Sequence, residues 1–315
     1  MKSSIFLANL TVVDHAYIDR NGQVLGGSFN PSFLVSGETD NVEKVVVDFS
    51  TVKKDLKILI DHKVTGIDHK LWITRESSAT LTPREPEGET AMVFISTPCL
   101  KLDIPGDAVV VLDCGYSIEA IGVYLGNYLT NALGAKYPSI KVTCLNSTKV
   151  HSLNSSLPVS TFSYVHGLKD STSWGCQNNS HGHLSYLQLF PSKEHVREYE
   201  NGRTSPSYPE ESGIDKLRRV IARDLDGTVF VRKENFKGIE DGMAVVGYSS
   251  RDRGTFHASY DVKTVKVKIL ESETTIEFLV EYVMQKYVED FRRLGIHSFA
   301  ISEGLTKGAY KEIFE

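Results

Sequence analysis

Apolar positions along this 315-residue chain fall into short runs whose spacing predicts an order of elements that occurs twice. Residues 5–15 and 33–49 are dominated by apolar side chains in the manner of strands. Residues 50–60 follow with helical periodicity behind Ser50, a residue suited to capping a helix. Apolar runs at 90–96 and 108–112 predict further strands. Ser117 then opens a helix carrying Ile118, Ile121, Leu125 and Leu129 at helical spacing, and 139–145 closes as a strand. The order returns as strands at 159–166 and 183–190, a helix at 214–224, a second helix at 275–291 and a strand at 298–302. Loops 82–89 and 200–212 read as polar, proline-bearing, exposed excursions.

The residues repeat as well as the elements. Ile67-Asp68-His69-Lys70-Leu71-Trp72-Ile73 is echoed 158 positions later by Leu225-Asp226-Gly227-Thr228-Val229-Phe230-Val231. The same interval carries Ser117-Ile118-Glu119 onto Thr275-Ile276-Glu277 and Tyr124 onto Tyr282. Nearer the start the interval is about 151, with Val13-Asp14-His15 facing Tyr164-Val165-His166. We read a diverged duplication with its joint at the Ser- and Pro-containing stretch 154–158, giving modules 1–153 and 154–315. The competing reading is coincidence among strand-like apolar runs.

Composition adds little: 41% apolar, 24% charged and 10% aromatic residues describe an ordinary globular protein. A formal charge of −5 makes no electrostatic case for nucleic acid or an anionic membrane. No apolar run approaches the roughly 20 residues of a membrane span, and the first ten residues read as a strand rather than a signal peptide. Four scattered cysteines (Cys99, Cys114, Cys144, Cys176) read as reduced thiols, which fits a cytoplasmic setting. No glycine-rich nucleotide loop is present.

One segment carries more specific chemistry. In Cys176-Gln177-Asn178-Asn179-Ser180-His181-Gly182-His183, the two histidines stand two apart, so on a strand they share a face. His166, at the end of the preceding apolar stretch, can supply a third imidazole from an adjacent strand. Three imidazoles leave a tetrahedral zinc with one open position, the pattern of catalytic sites. The alternatives are a structural zinc and a histidine cluster in a core. Cys176 would lie at the rim of the same site.

These motifs resemble the 6-pyruvoyl-tetrahydropterin synthase and 6-carboxy-tetrahydropterin synthase family, built on the tunnelling or T-fold. The family's first-strand histidine is similar to His166, and its Cys…His-Gly-His element to Cys176, His181 and His183. Its Asp-Phe-x-x-x-Lys helix start is similar to Asp48-Phe49-Ser50-Thr51-Val52-Lys53, and its Leu-Asp-His to Ile67-Asp68-His69. Its Thr-x-Glu helix start is similar to Thr275-Ile276-Glu277, and its terminal glutamate to Glu303. The resemblance implies an α+β fold: two tandem T-fold modules, each an antiparallel sheet with two helices on one face and a middle insertion (75–106 and 233–261). It implies Zn2+ held by His166, His181 and His183. Cys176 is implied as general base, with His69 lowering its pKa and Asp68 fixing the His69 tautomer. Glu303 would anchor the pterin edge, with Thr274 and Thr275 adding contacts.

The first module is degenerate by this reading. It keeps His15, but Phe29-Asn30-Pro31-Ser32 stands where His-Gly-His belongs, and Leu145 replaces the glutamate. The second module has Gly227 in place of the histidine of Asp-His. Each lacks what the other keeps, so the first would donate Asp68 and His69 to the metal site of the second. The implied substrate is 7,8-dihydroneopterin triphosphate. The implied product is 6-carboxy-tetrahydropterin, of a 7-deazaguanine or queuosine-type pathway, or alternatively 6-pyruvoyl-tetrahydropterin. Lys53, Lys70, Arg75 and Arg218 are unranked candidates for the triphosphate. A non-catalytic pterin- or purine-binding regulator and an unrelated three-histidine zinc hydratase or hydrolase are the other readings. The implied assembly is a homo-oligomer, a trimer acting as a pseudo-hexamer or a dimer.

Overall fold

The computed structural model describes residues 2–39, 45–191 and 212–313, so all but the last position of the loop expected at 200–212 falls outside the described residues. In chain order the first half runs β1 (Lys2–Leu7), β2 (Val13–Ile18), β3 (Val24–Glu38), α1 (Phe49–Ile60), β4 (Lys70–Ile73), β5 (Thr80–Glu87), β6 (Thr90–Ser96), β7 (Leu100–Pro105), β8 (Val109–Val111), α2 (Ile118–Gly134) and β9 (Lys141–Ser147). The second half runs β10 (Val159–His166), β11 (His181–Pro191), α3 (Gly213–Leu225), β12 (Thr228–Arg232), β13 (Phe236–Glu240), β14 (Met243–Ser250), β15 (Gly254–Asp261), β16 (Lys266–Leu270), α4 (Ile276–Arg293), β17 (Ile296–Glu303) and β18 (Lys307–Glu312). Among the described residues no helix is long and apolar enough to cross a membrane.

Several expected boundaries move. The apolar run at 5–15 is two strands, because Asn9 turns the chain with a left-handed φ of 48°. The strand expected at 33–49 begins at Val24 and stops at Glu38. Helix α1 starts at Phe49, capped by Asp48 rather than Ser50. The Asp48 carboxylate accepts the N–H of Thr51 at 2.8 Å and also holds the Ser50 hydroxyl. At α2 the expected cap stands, with Ser117 accepting the N–H of Ala120.

The two half-sheets have one order. In the first, β9 lies against β3, β3 against β2, and β4 and β8 follow outward. In the second, β17 lies against β11, β11 against β10, and β12 and β16 follow outward. Neither is wholly antiparallel, as had been expected. Strands β4 and β8 run parallel in succession to β2, and β12 and β16 to β10. Each is reached by a helix or a multi-strand excursion, the long crossover that parallel pairing requires. Helices α1 and α2 bury Val52, Leu56, Ile60, Ile121, Leu125 and Leu129 on one face of the first sheet, against Val13, Phe29, Phe33 and Trp72. Helices α3 and α4 do the same with Leu217, Ile221, Leu279, Val283 and Phe291 against Phe162, Tyr164 and Phe299.

The middle segments of the two halves do not stand apart. They join into a third sheet, ordered β13-β14-β15-β7-β6-β5, where β15 pairs β7 from His257 opposite Asp103 to Tyr260 opposite Leu100. Its apolar residues, among them Ile95, Leu102, Val246, Phe256 and Tyr260, cover the helix-free faces of both half-sheets at Ala16, Ile18, Leu71, Ile73, Val165, Val229 and Val231. Three sheets therefore share one central core.

Matching hydrogen bonds align the halves residue by residue. Asp68 accepts the N–H of Asp14 at 2.9 Å, and Asp226 accepts that of Ser163 at 2.8 Å. The next N–H, of His69 or Gly227, returns to the carbonyl of the same residue, Asp14 or Ser163. His69 and Gly227 also share a left-handed backbone, φ 54° and 64°. Asp14 thus matches Ser163, His15 matches Tyr164, and Tyr17 matches His166. The ladders pair Tyr17 with Leu25 and His15 with Gly27, as they pair His166 with His181 and Tyr164 with His183. The segment standing where His181-Gly182-His183 stands is therefore Leu25-Gly26-Gly27, not residues 29–32. His15 is not the counterpart of a candidate ligand but stacks on Trp72 at 3.7 Å and bonds the Tyr116 hydroxyl at 2.9 Å. Continuing the register of β9 puts Thr148, not Leu145, in the place of Glu303. The interval between matched residues changes from one strand to the next, and this produced all three differences.

The matched glycines Gly26 and Gly182 touch across the halves. A Cβ on Gly26 would lie 2.2 Å from the Tyr164 carbonyl oxygen and 2.6 Å from the His183 nitrogen, and one on Gly182 would lie 2.6 Å from Gly26 Cα. Backbone cannot yield as a flexible side chain does, so Gly26→Ala is expected to cost about 1–3 kcal/mol as an overpacked core position. The check is the urea midpoint of unfolding; an unchanged midpoint would show that the halves do not meet here.

Candidate metal centre and thiol–imidazole pair

Strand β10 ends on His166 and β11 begins on His181, and the antiparallel ladder sets these two residues directly opposite each other. His183 follows on the same face, opposite Tyr164. One ring nitrogen from each of the three lies within 4.8 Å of the others, and all three side chains are buried. Burial holds the imidazoles of His166, pushed down to about 3, and of His181, well below the usual range, in the neutral form that binds metal.

Each ring is oriented through Nδ1. That of His166 donates to the Thr274 carbonyl at 2.8 Å, and that of His181 to the Asn178 carbonyl at 2.8 Å. That of His183 faces Asp14 Oδ1 at 3.3 Å. With the protons on Nδ1, the three Nε2 lone pairs are left to the interior. The buried His181 Nε2 has no hydrogen-bond partner among the described residues, and His166 Nε2 stands 3.1 Å from His183 Nε2. At that distance the two nitrogens share a proton between them or a cation bound to both. Neutral nitrogens with outer acceptors fixing their tautomers are what a three-histidine zinc centre needs, so the residues present fit the ion. Thr274, expected among substrate contacts, is committed through its carbonyl to His166, and its hydroxyl lies 3.2 Å from the same ring. Thr275 precedes the first turn of α4 as its N-cap, with no side-chain capping bond.

The Asp68–His69 pair of the first half reaches this site within one chain. Asp68 Oδ2 lies 2.6 Å from His69 Nδ1 while Oδ1 takes the Asp14 N–H. The left-handed backbone at His69 costs a non-glycine residue roughly 1–2 kcal/mol. Gly175 permits the approach, since a Cβ there would sit 2.6 Å from His69 Cβ. The next residue, Cys176, brings its sulfur within 4.8 Å of ring nitrogens of both His69 and His181.

Charge sets the protonation states of this pair. Burial opposes the His69 cation, but Asp68 and Cys176 outweigh it and raise its pKa well above the ordinary value. Burial likewise opposes the Cys176 anion, yet the bond and charge of His69, with help from Ser173, bring the thiol below its ordinary value. Cys144 shows the contrast: burial without a cation pushes it up to about 12.

Two further buried residues connect the halves, and neither carries a motif. The Asn178 amide donates to the carbonyls of His69 and Ala108 while its own carbonyl holds His181. Asp14 touches His183 from β2. On the other side of the cluster, Glu303 ends β17 with one oxygen 4.0 Å from His183 Nε2 and the other 2.9 Å from Lys307 Nζ. Burial works against its ionisation, but His183 and Lys307 hold its pKa below the usual range.

A cavity of about 240 Å³ opens beside His69, lined in part by Lys63, Lys70, Ser173, Trp174 and Arg253. Of the cations considered from sequence, Lys70 lies here, its ammonium donating to the Val64 carbonyl and pulled down to about 8 by burial. Arg75 and Arg218 are paired elsewhere, with Asp113 and Asp215. Lys63 and Arg253 had no sequence signal and both lie over the Trp174 ring.

No family model matches the sequence. No curated protein matches it either. Solved structures do show similarity. A catalytic-residue mutant of Plasmodium vivax 6-pyruvoyltetrahydropterin synthase is 18% identical, covering 47% of this chain and 97% of that chain at a TM-score of 0.33. A 2.2 Å crystal structure from Plasmodium vivax is 17% identical over 47% and 98% at 0.33. The Plasmodium falciparum enzyme is 19% identical over 46% and 98% at 0.32.

The thiolate can be tested directly. In metal-free protein the pH midpoint of Cys176 alkylation by iodoacetamide should fall below the roughly 8.5 of a free thiol. His69→Ala should move that midpoint upward, because it removes the cation that favours the anion. Equal midpoints in the two proteins would exclude the ion pair.

Proposed function

We propose that the chain is a zinc-dependent tetrahydropterin synthase, a lyase acting on 7,8-dihydroneopterin triphosphate and forming 6-carboxy-tetrahydropterin. The observation that carries this reading is the meeting of Asp68–His69 from one half with Cys176 from the other, beside three imidazoles whose nitrogens lie within 4.8 Å of one another. A hydrolytic zinc site needs a water and a base but has no use for an activated thiol. Removal of a proton from a carbon next to a hydroxyl does have such a use.

In this reading His166, His181 and His183 hold the zinc, which when bound supplies Lewis acidity toward the hydroxyls of the three-carbon side chain. The Cys176 thiolate takes the carbon-bound proton, and the bond and charge of His69 favour that anion by bringing the thiol below its ordinary value. The His69 imidazolium balances the thiolate charge and can return a proton to an oxygen of the product, while Asp68 fixes the tautomer. Glu303, ionised and half-enclosed, accepts the paired N–H groups of the pterin edge. The cavity at Lys63, Lys70 and Arg253 adjoins His69 and suits the anionic end of the substrate.

Purified protein should turn over the pterin triphosphate, with acetaldehyde released alongside 6-carboxy-tetrahydropterin. Mass spectrometry of the products decides, since 6-pyruvoyl-tetrahydropterin without acetaldehyde would reassign the product. Zinc removal should abolish turnover and zinc addition should restore it. Cys176→Ala should lower kcat by about 10²–10⁴ while leaving the zinc content at one per chain. Full activity in that variant would sink the assignment.

A further inference from the structure

We propose that Asp14, a residue of the first half, is a positioning residue for the metal centre of the second, holding His183 in the tautomer and orientation that present Nε2 to the ion. The inference rests on the metal-site reading above and extends it to a residue that no motif marks.

Alternation along β2 turns Val13 and His15 toward the helices of their own half and sends Asp14 to the opposite face, against β11. There its side chain is almost wholly enclosed, with Oδ1 3.3 Å from His183 Nδ1. That nitrogen makes no hydrogen bond among the described residues, and the Asp14 carboxylate is the charged group that faces it. The same oxygen accepts the Ser28 hydroxyl proton, and Ser28 Oγ in turn accepts the N–H of Leu184 at 2.9 Å. Asp14 and Ser28 therefore grip β11 through both the ring of His183 and the backbone of the next residue. The turn after Glu303 closes the remaining side: Gly304 has a φ of +71°, and a Cβ there would lie 2.8 Å from Asp14 Oδ1.

A carboxylate enclosed this completely is stable only with a compensating positive charge or strong donors. A dication on the far nitrogen of His183 supplies the charge through one ring, the arrangement in which an outer carboxylate raises the basicity of a metal-bound imidazole. His166 and His181 instead use backbone carbonyls from their own half for this purpose. The position matching Asp14 in the second half is Ser163, so the device belongs to one half only.

The test uses the full chain and two variants, Asp14→Asn, which keeps shape and the Ser28 contact, and Asp14→Ala. Zinc affinity is measured by competition with a chromophoric chelator, and the ligand geometry from the visible spectrum of the cobalt-substituted protein. Urea unfolding of the metal-free proteins is the folding control. Asp14→Asn should weaken zinc about 10- to 100-fold and shift the cobalt bands. If Asp14→Ala does not fold, the asparagine variant carries the test alone. Wild-type zinc binding that His183→Ala abolishes but Asp14→Asn leaves unchanged, with an unshifted cobalt spectrum, would overturn the role of Asp14 and spare the metal centre. Absence of zinc binding by the wild type would overturn both.

Discussion

Gly26 on β3 and Gly182 on β11 meet main chain to main chain, and this contact sets the distance between the two halves. No side chain separates the strands, so groups on β2 and on the loop before β4 come within reach of the ends of β10 and β11. Asp14, the second residue of β2, touches His183 for this reason. The loop carrying Asp68 and His69 is brought over Cys176 by the same approach, and Gly175 removes the last obstruction. A single side chain at the crossing would spread the halves and pull the thiol from its imidazole.

Electrostatics then distributes roles that sequence alone leaves equal. Four cysteines have the same intrinsic chemistry, but Cys176 has the half-buried His69 imidazole beside it, which favours its anion, whereas burial alone acts on Cys144. Asp68 shows how local structure and chemistry share one group. One oxygen satisfies the Asp14 N–H and so fixes the turn into β4, while the other holds the His69 ring. Asp226 keeps the structural half of that arrangement, and Gly227 next to it has no ring to hold. The backbone geometry persists at both places, and the strain is borne only where the histidine is.

Helices and central strands were legible because their signals are local. Ser117 before a 3.6-residue apolar period marks α2, and the β10 and β6 runs coincide with their strands. The cluster of His166, His181 and His183 was legible because period-2 geometry converts spacing into a shared face. The register of the first half was not, since gaps of a few residues that differ from strand to strand are invisible among apolar residues and moved the supposed counterparts of the histidines. Asp14 and Asn178 were hidden for a different reason: each acts across 70 to 169 residues of chain, through contacts that no neighbouring residue announces. The joining of β15 to β7 was equally silent, because strand edges pair by backbone and leave no side-chain code.

That shared sheet has a consequence for how the site comes into being. Its pairing of β15 with β7 and its cover over both half-sheets staple the two parts of the chain together from the back, while the glycine crossing joins them from the front. The encounter that brings Asp68 and His69 to Cys176 is thus a first-order event inside one polypeptide, governed by effective concentration rather than by collision. Dilution does not separate the donor from its acceptor, and neither partner has to wait for a second molecule to be synthesised.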